Sequence, residues 1–153
     1  MAKILLSLHV LVAVVAIGPV TAAASMFPKA LRRAQAAPAD PKALAALRTL
    51  HRICRVYAAV GLAVPAFGFA TASALGVLGD AWLIASIALT AVAAAVLALL
   101  VLPAQDGALA AAGTPAFALV APARIAMLTG LFNLLWVAVT VLMIVRPGST
   151  TGV

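Results

Sequence analysis

Acidic residues are nearly missing from this chain: three aspartates, Asp40, Asp80 and Asp106, stand against ten lysines and arginines in 153 residues. All three lie between long apolar runs and are expected in loops. A proton pump or ion-coupled transporter normally keeps an acid inside the bilayer, so that class is weakened. Cysteine is almost as scarce, and Cys54 alone excludes an internal disulfide and a thiolate cluster. There is no Gly-rich phosphate loop, no His-Glu-x-x-His and no pair of carboxylates within an apolar run. Hydrolytic and phosphoryl-transfer enzymes need such parts, and no catalytic or metal-ligating set is expected.

What fills the chain is hydrocarbon. Hydrophobic residues make up 67% and charged residues only 8%, too few polar groups to cover the apolar surface in water. Apolar runs span about Ile4 to Met26, Cys54 to Leu78, Ala81 to Leu102 and Ala123 to Val145. Each exceeds the length of a barrel strand, lacks alternation, and matches the roughly 20 residues of a spanning helix. The expected fold is all-α, one domain over 1–153, with four transmembrane helices in an antiparallel bundle. In the second run Gly68, Ala72 and Gly76 recur every fourth residue and predict a smooth helix-packing face.

The opening run admits two readings. Lys3, an apolar stretch, Pro19 and then Ala22-Ala23-Ala24-Ser25 have the layout of a cleavable secretory signal. His9, within the same stretch, favours a retained span, because a histidine inside a membrane helix usually has a partner.

Positive charge gathers in 27–53, which holds Lys29, Arg32, Arg33, Lys42, Arg48 and Arg52, with Arg55 at the rim of the second run. The positive-inside rule assigns this segment to the cytoplasm of a cell whose plasma membrane holds the protein, and both termini to the outside. Gly79-Asp80 then forms an outer turn and Pro103 to Pro115 a second cytoplasmic loop. Trp82 and Arg146 are expected at the outer interface, Arg55 and Arg124 at the inner one. Asp40-Pro41 reads as an N-cap with proline in the first turn, so the second helix starts before the bilayer. Arg48, Arg52 and Arg55 share a helix face and, with Arg124, are expected at anionic lipid head groups. Nucleic acid is not expected, since no aromatics interleave the basic residues.

Two histidines invite the thought of a haem between two imidazoles, but His51 sits at or beyond the cytoplasmic rim. About 20 Å or more would separate the pair along the membrane normal. If the outer ends of the spans share one level, Ser73, Ser86 and Thr140 fall at the depth of His9 and predict a polar layer. Near the midplane Asn133, Thr90 and a kink at Pro65 coincide; proline frees the Gly61 carbonyl, for which the Asn133 amide is a suitable donor.

LLSLHVLVAVVAIGP, followed after the basic segment by LHRICRVYAAVGLAVPAFGFATA, resembles the small four-helix predicted integral membrane proteins of unknown function common in actinobacteria. Leu8-His9-Val10 also has a distant likeness to the copper-resistance D-type membrane proteins and the bacterial membrane protoporphyrinogen oxidases. The second likeness implies His9 as an axial ligand of haem b, and gives one functional expectation: a haem-b or quinone-associated redox protein. The leading expectation, from tiny loops and Ala/Gly-rich faces, is a non-enzymatic accessory or assembly subunit of a larger membrane complex, respiratory complexes among the hosts, with other membrane subunits as partners.

Overall fold

A computed structural model describes residues 2–148. The elements are α1 (Ala2–Ala36), α2 (Pro41–Gly61), α3 (Ala63–Leu75), α4 (Ala81–Ala95), a π-helical stretch Val96–Val101, α5 (Leu102–Ala111), a 3-10 turn Pro115–Leu119 and α6 (Pro122–Val145). They join into four helices long and apolar enough to cross a membrane: Lys3–Ala36, Pro41–Leu75, Ala81–Ala111 and Pro122–Val145. The protein is an all-α, multi-pass membrane protein. Four crossings return the chain to its starting side. The expectation that both termini lie there concerns Met1 and 149–153, which are outside the described residues.

Three of the four helices, at 34, 35 and 31 residues, exceed the roughly 20 needed to cross a bilayer. The surplus lies at one end, where the basic residues gather. The sequence predicts a basic connecting segment over 27–53; the chain there is almost wholly helical instead. α1 runs on to Ala36, a tight turn follows, and α2 starts at Pro41 behind Asp40, whose carboxylate accepts from the Lys42 N–H at 2.9 Å. Asp40 thus serves as the N-cap the sequence predicts. Lys29, Arg32 and Arg33 point outward, while Phe27, Leu31 and Ala34 between them are buried. An amphipathic stripe of this kind holds a helix together well beyond its hydrocarbon run.

The third span also overruns its predicted end at Leu102. Pro103 lacks an N–H and crowds the carbonyl one turn earlier, which should stop a helix or bend it. Here the turn before it is widened: the Leu102 N–H donates to the Leu97 carbonyl, five residues back. Helix then continues to Ala111. The predicted loop Pro103 to Pro115 is therefore mostly α5, and Asp106, expected in a loop, stands on a helix.

Pro65 acts as expected on the second span. Without its N–H the Gly61 carbonyl loses a donor, the chain tightens so that the Leu62 N–H bonds Ala59, and the helix breaks once at Leu62. At the far end Gly76 adopts φ 70°, with Val77 N–H bonded to Ala72 and Gly76 N–H to Ser73. This is the Schellman ending that glycine supplies without Cβ strain. Of the predicted small-residue face, Gly68 and Ala72 pack inward and Gly76 instead caps the helix.

α1 packs against α2 and α3 on one side and α6 on the other; α4 packs on α6, and α5 on α2. Three buried clusters result. Phe27, Leu31, Leu47, Ala108, Phe117 and Ile125 form a core at the basic end. Val20, Ala24, Cys54, Ala93, Val101 and Phe132 fill the middle. Ala72, Trp82 and Leu83 close the opposite end. There Trp82 donates to Asp80 Oδ2 at 2.9 Å, and the Arg146 guanidinium lies 5.6 Å from its ring centroid. The two residues expected at the outer interface therefore meet, as one cation–π pair.

Candidate functional site

His9 stands where α1 crosses the second span just beyond its break. Its Nδ1 donates to the Val64 carbonyl at 3.1 Å. Because a carbonyl only accepts, that nitrogen carries the hydrogen, and in the neutral ring Nε2 keeps its lone pair. The ring lies on Gly68, where an added Cβ would meet His9 Cε1 at 3.1 Å. Glycine there makes the seat. A Cβ there makes the imidazole give by a few tenths of an ångström and a branched side chain by more, while the exposed neighbours Leu8, Val10 and Leu11 offer the ring no other acceptor.

His9 does not join the predicted layer with Ser73, Ser86 and Thr140. Ser86 donates to the Trp82 carbonyl at 2.8 Å and Thr140 to that of Trp136 at 2.9 Å, each on its own helix, while Ser73 is exposed. A hydroxyl in a helix can satisfy itself on the preceding turn, so equal depth is no warrant for a cross-helix bond. The assumption of a common outer level also fails. α1 meets its neighbours at different heights, which sets His9 against Val64 and Gly68, nearer the basic end than Ser73.

The midplane expectation is corrected in the same way. Asn133 Nδ2 donates to Ser25 Oγ at 3.0 Å, on the first helix and not the second. Thr90 bonds the Ser86 carbonyl of its own helix at 2.7 Å. Neither reaches the turn that Pro65 breaks. Asn133 Oδ1 has no donor among the described residues, although the atom is buried. Beside it the seam between α1 and α6 opens into a shallow groove of about 210 Å³ lined by Thr21, Asn133, Trp136, Val137, Thr140 and Val141.

At the basic end the structure assembles a polar cluster that sequence reasoning missed. His51, expected at the rim, is buried between helices: Nδ1 donates to Gln105 Oε1 at 3.0 Å, and Gln105 Nε2 approaches Cys54 Sγ at 3.7 Å. Gln105 is wholly enclosed. His51 Nε2 lies 2.8 Å from Asp106 Oδ1, within ion-pair range but not aligned as a hydrogen bond. The signal was available as spacing. Val101, Gln105 and Ala108 share one helix face, as do Leu47, His51 and Cys54, provided the helix continues through Pro103. Reading that proline as the start of a loop hid the first face. Beside the second face, Arg48, Arg52 and Arg55 are all exposed on α2, and Arg124 is exposed at the start of α6.

The two histidines therefore serve separate sites. His9 touches Val64 and His51 is thirteen positions earlier on the same broken helix, about 20 Å at 1.5 Å per residue. One iron cannot bind both.

Gly68→Val is expected to displace His9 and weaken the bundle by about 1–2 kcal/mol, and His9→Leu by about 0.6–1.7 kcal/mol, the range for one interhelical bond in a bilayer. Melting in mild detergent checks both. If the Gly68→Val loss is unchanged in a His9→Leu background, the clash is not with the imidazole.

No family model matches the chain, and no curated protein or solved structure matches it either.

Proposed function

We propose that this protein is a non-enzymatic accessory or assembly subunit that packs against a larger membrane complex in the plasma membrane, with the basic end in the cytoplasm. The observation that carries the reading is the polar seam between α1 and α6. Asn133 donates to Ser25 at the outside of the bundle, and a groove runs alongside. Hydrocarbon offers the exposed Ser25 hydroxyl nothing, whereas a neighbouring helix laid in the groove can supply packing and a polar partner for it. Among the described residues the loops are short, which suits a part that docks against a neighbour. Mild-detergent extraction followed by native gel electrophoresis tests the idea. A complex larger than the 15.3 kDa chain is expected, and it should dissociate when Asn133 becomes Leu. A lone protomer under every detergent would overturn the reading.

The orientation is tested separately by cysteine labelling in a Cys54→Ala background. Asp80→Cys should react with an impermeant reagent from outside, and Arg33→Cys only after the membrane is opened. The reverse pattern would invert the topology.

One observation favours a second reading, a haem-b or quinone-associated redox protein. Metal-ligating histidines commonly donate their other ring N–H to a backbone carbonyl, and His9 does so to Val64, leaving Nε2 for a ligand. The residues fit a single axial ligand and provide no second one at that level. When bound, a haem would supply one-electron chemistry; His9 would orient it and Gly68 would leave room for the ring. Protein purified from haem-replete cells should then show a Soret band that His9→Ala diminishes and His51→Ala leaves alone. A colourless preparation would sink it.

A further inference from the structure

Beside the buried His51 cluster, α2 carries an open depression of about 360 Å³ lined by His51, Arg52, Arg55 and Val56. Arg52 and Arg55 are exposed and one helical turn apart, the separation at which two side chains reach the same object. Both guanidiniums lack an ion-pair or hydrogen-bond partner among the described residues. The nearest acid of the cluster, Asp106, is 2.8 Å from His51 and so is engaged elsewhere. The position matters as much as the charge. Arg52 and Arg55 stand where the polar part of α2 gives way to its apolar run, and Val56 continues the depression toward that run. Basic above and aliphatic below, the site has the polarity gradient of a phospholipid at the level of its phosphate.

We propose that this depression binds one phospholipid with a net negative head group, its phosphate held by Arg52 and Arg55 and its glycerol backbone resting on Val56. A guanidinium pair can offer parallel N–H donors to two phosphate oxygens, which an ammonium cannot copy. His51, pinned from behind by Gln105, forms a rigid floor. The half-exposed Asp106 carboxylate, 2.8 Å from His51 Nε2, adds a negative charge beside the site, so a singly charged phosphodiester suits it better than a doubly ionised phosphomonoester. This inference is independent of the subunit reading, since it concerns one face of α2 far from the Asn133 seam.

The test is native mass spectrometry of the delipidated full chain titrated with phosphatidylglycerol. One lipid per protomer is expected, with affinity at least about tenfold weaker in Arg52→Ala/Arg55→Ala, as loss of two charge-assisted contacts implies. Arg52→Lys/Arg55→Lys keeps the charge and loses the fork, and should weaken binding by about threefold or more. Arg32→Ala/Arg33→Ala removes the same charge from the same end of the protein and should leave affinity within about twofold. Equal losses in the two alanine pairs would replace the site by diffuse attraction and overturn the proposal. Lipid displacement by millimolar inorganic phosphate alone would assign the arginines to a soluble phosphate and overturn the lipid assignment. The arginines are exposed, so melting should be unchanged; if the alanine pair does not fold, Arg52→Gln/Arg55→Gln gives the same reading.

Discussion

Phe27→Ala is expected to destabilise the protein by about 3–5 kcal/mol, the cost of emptying a large enclosed site. Phe27 is fully buried at the centre of the basic-end core, against α2 and the segments that flank Pro115–Leu119. A bilayer laid over the apolar runs would leave this core in the surplus helix length, where water and not lipid would be the competing solvent. In that placement the hydrophobic effect would act on it in full, as it does not between helices surrounded by hydrocarbon. The lid of the core is held by Gln35, whose amide donates to the carbonyls of Phe117 at 2.9 Å and Val120 at 2.8 Å. Leu134, 70% exposed on α6, provides the contrast. Leu134→Ala only exchanges one apolar contact for another and should stay within about 0.5 kcal/mol. Thermal melts in mild detergent measure both. Equal losses would mean that the basic-end core is not in water.

Gln105→Leu is expected to cost about 1–3 kcal/mol, because it strands the enclosed His51 Nδ1 without an acceptor while the shape of the site is nearly kept. The informative variant is the double one. With His51→Leu added, both partners become apolar and most of the loss should return, since two matched hydrocarbon groups can replace a buried bond at little net cost. The coupling between the two positions, read from the cycle, should be 0.5 kcal/mol or more. Additive losses would show that the 3.0 Å contact does not join α2 to α5 energetically. Asp106→Asn separates the remaining contact: the carboxylate side chain is 59% exposed, so its removal should change stability far less than Gln105→Leu.

The spanning helices, their number and the place of the N-cap at Asp40 were settled by composition and local pattern. Long apolar runs in lipid must bond their own backbone, and only helices do that within one segment. The break at Pro65 and the placing of Trp82 and Arg146 at one common end were also legible, the first because proline removes a donor and the second because amphipathic side chains collect at interfaces; that the two stack was not. What sits opposite what was not. A helix allows a serine or threonine to bond its own preceding turn, so the hydroxyls at Ser86, Thr90 and Thr140 carry no instruction about neighbours. The height at which α1 crosses the second span put His9 on Val64 and Gly68, and the same slant took Asn133 to Ser25. The widened turn before Pro103 let α5 continue, and only that continuation brings Gln105 and Asp106 to His51. Local chemistry determines which segments are helices; relative height and rotation depend on the simultaneous packing of all four, and are decided only when they fold together.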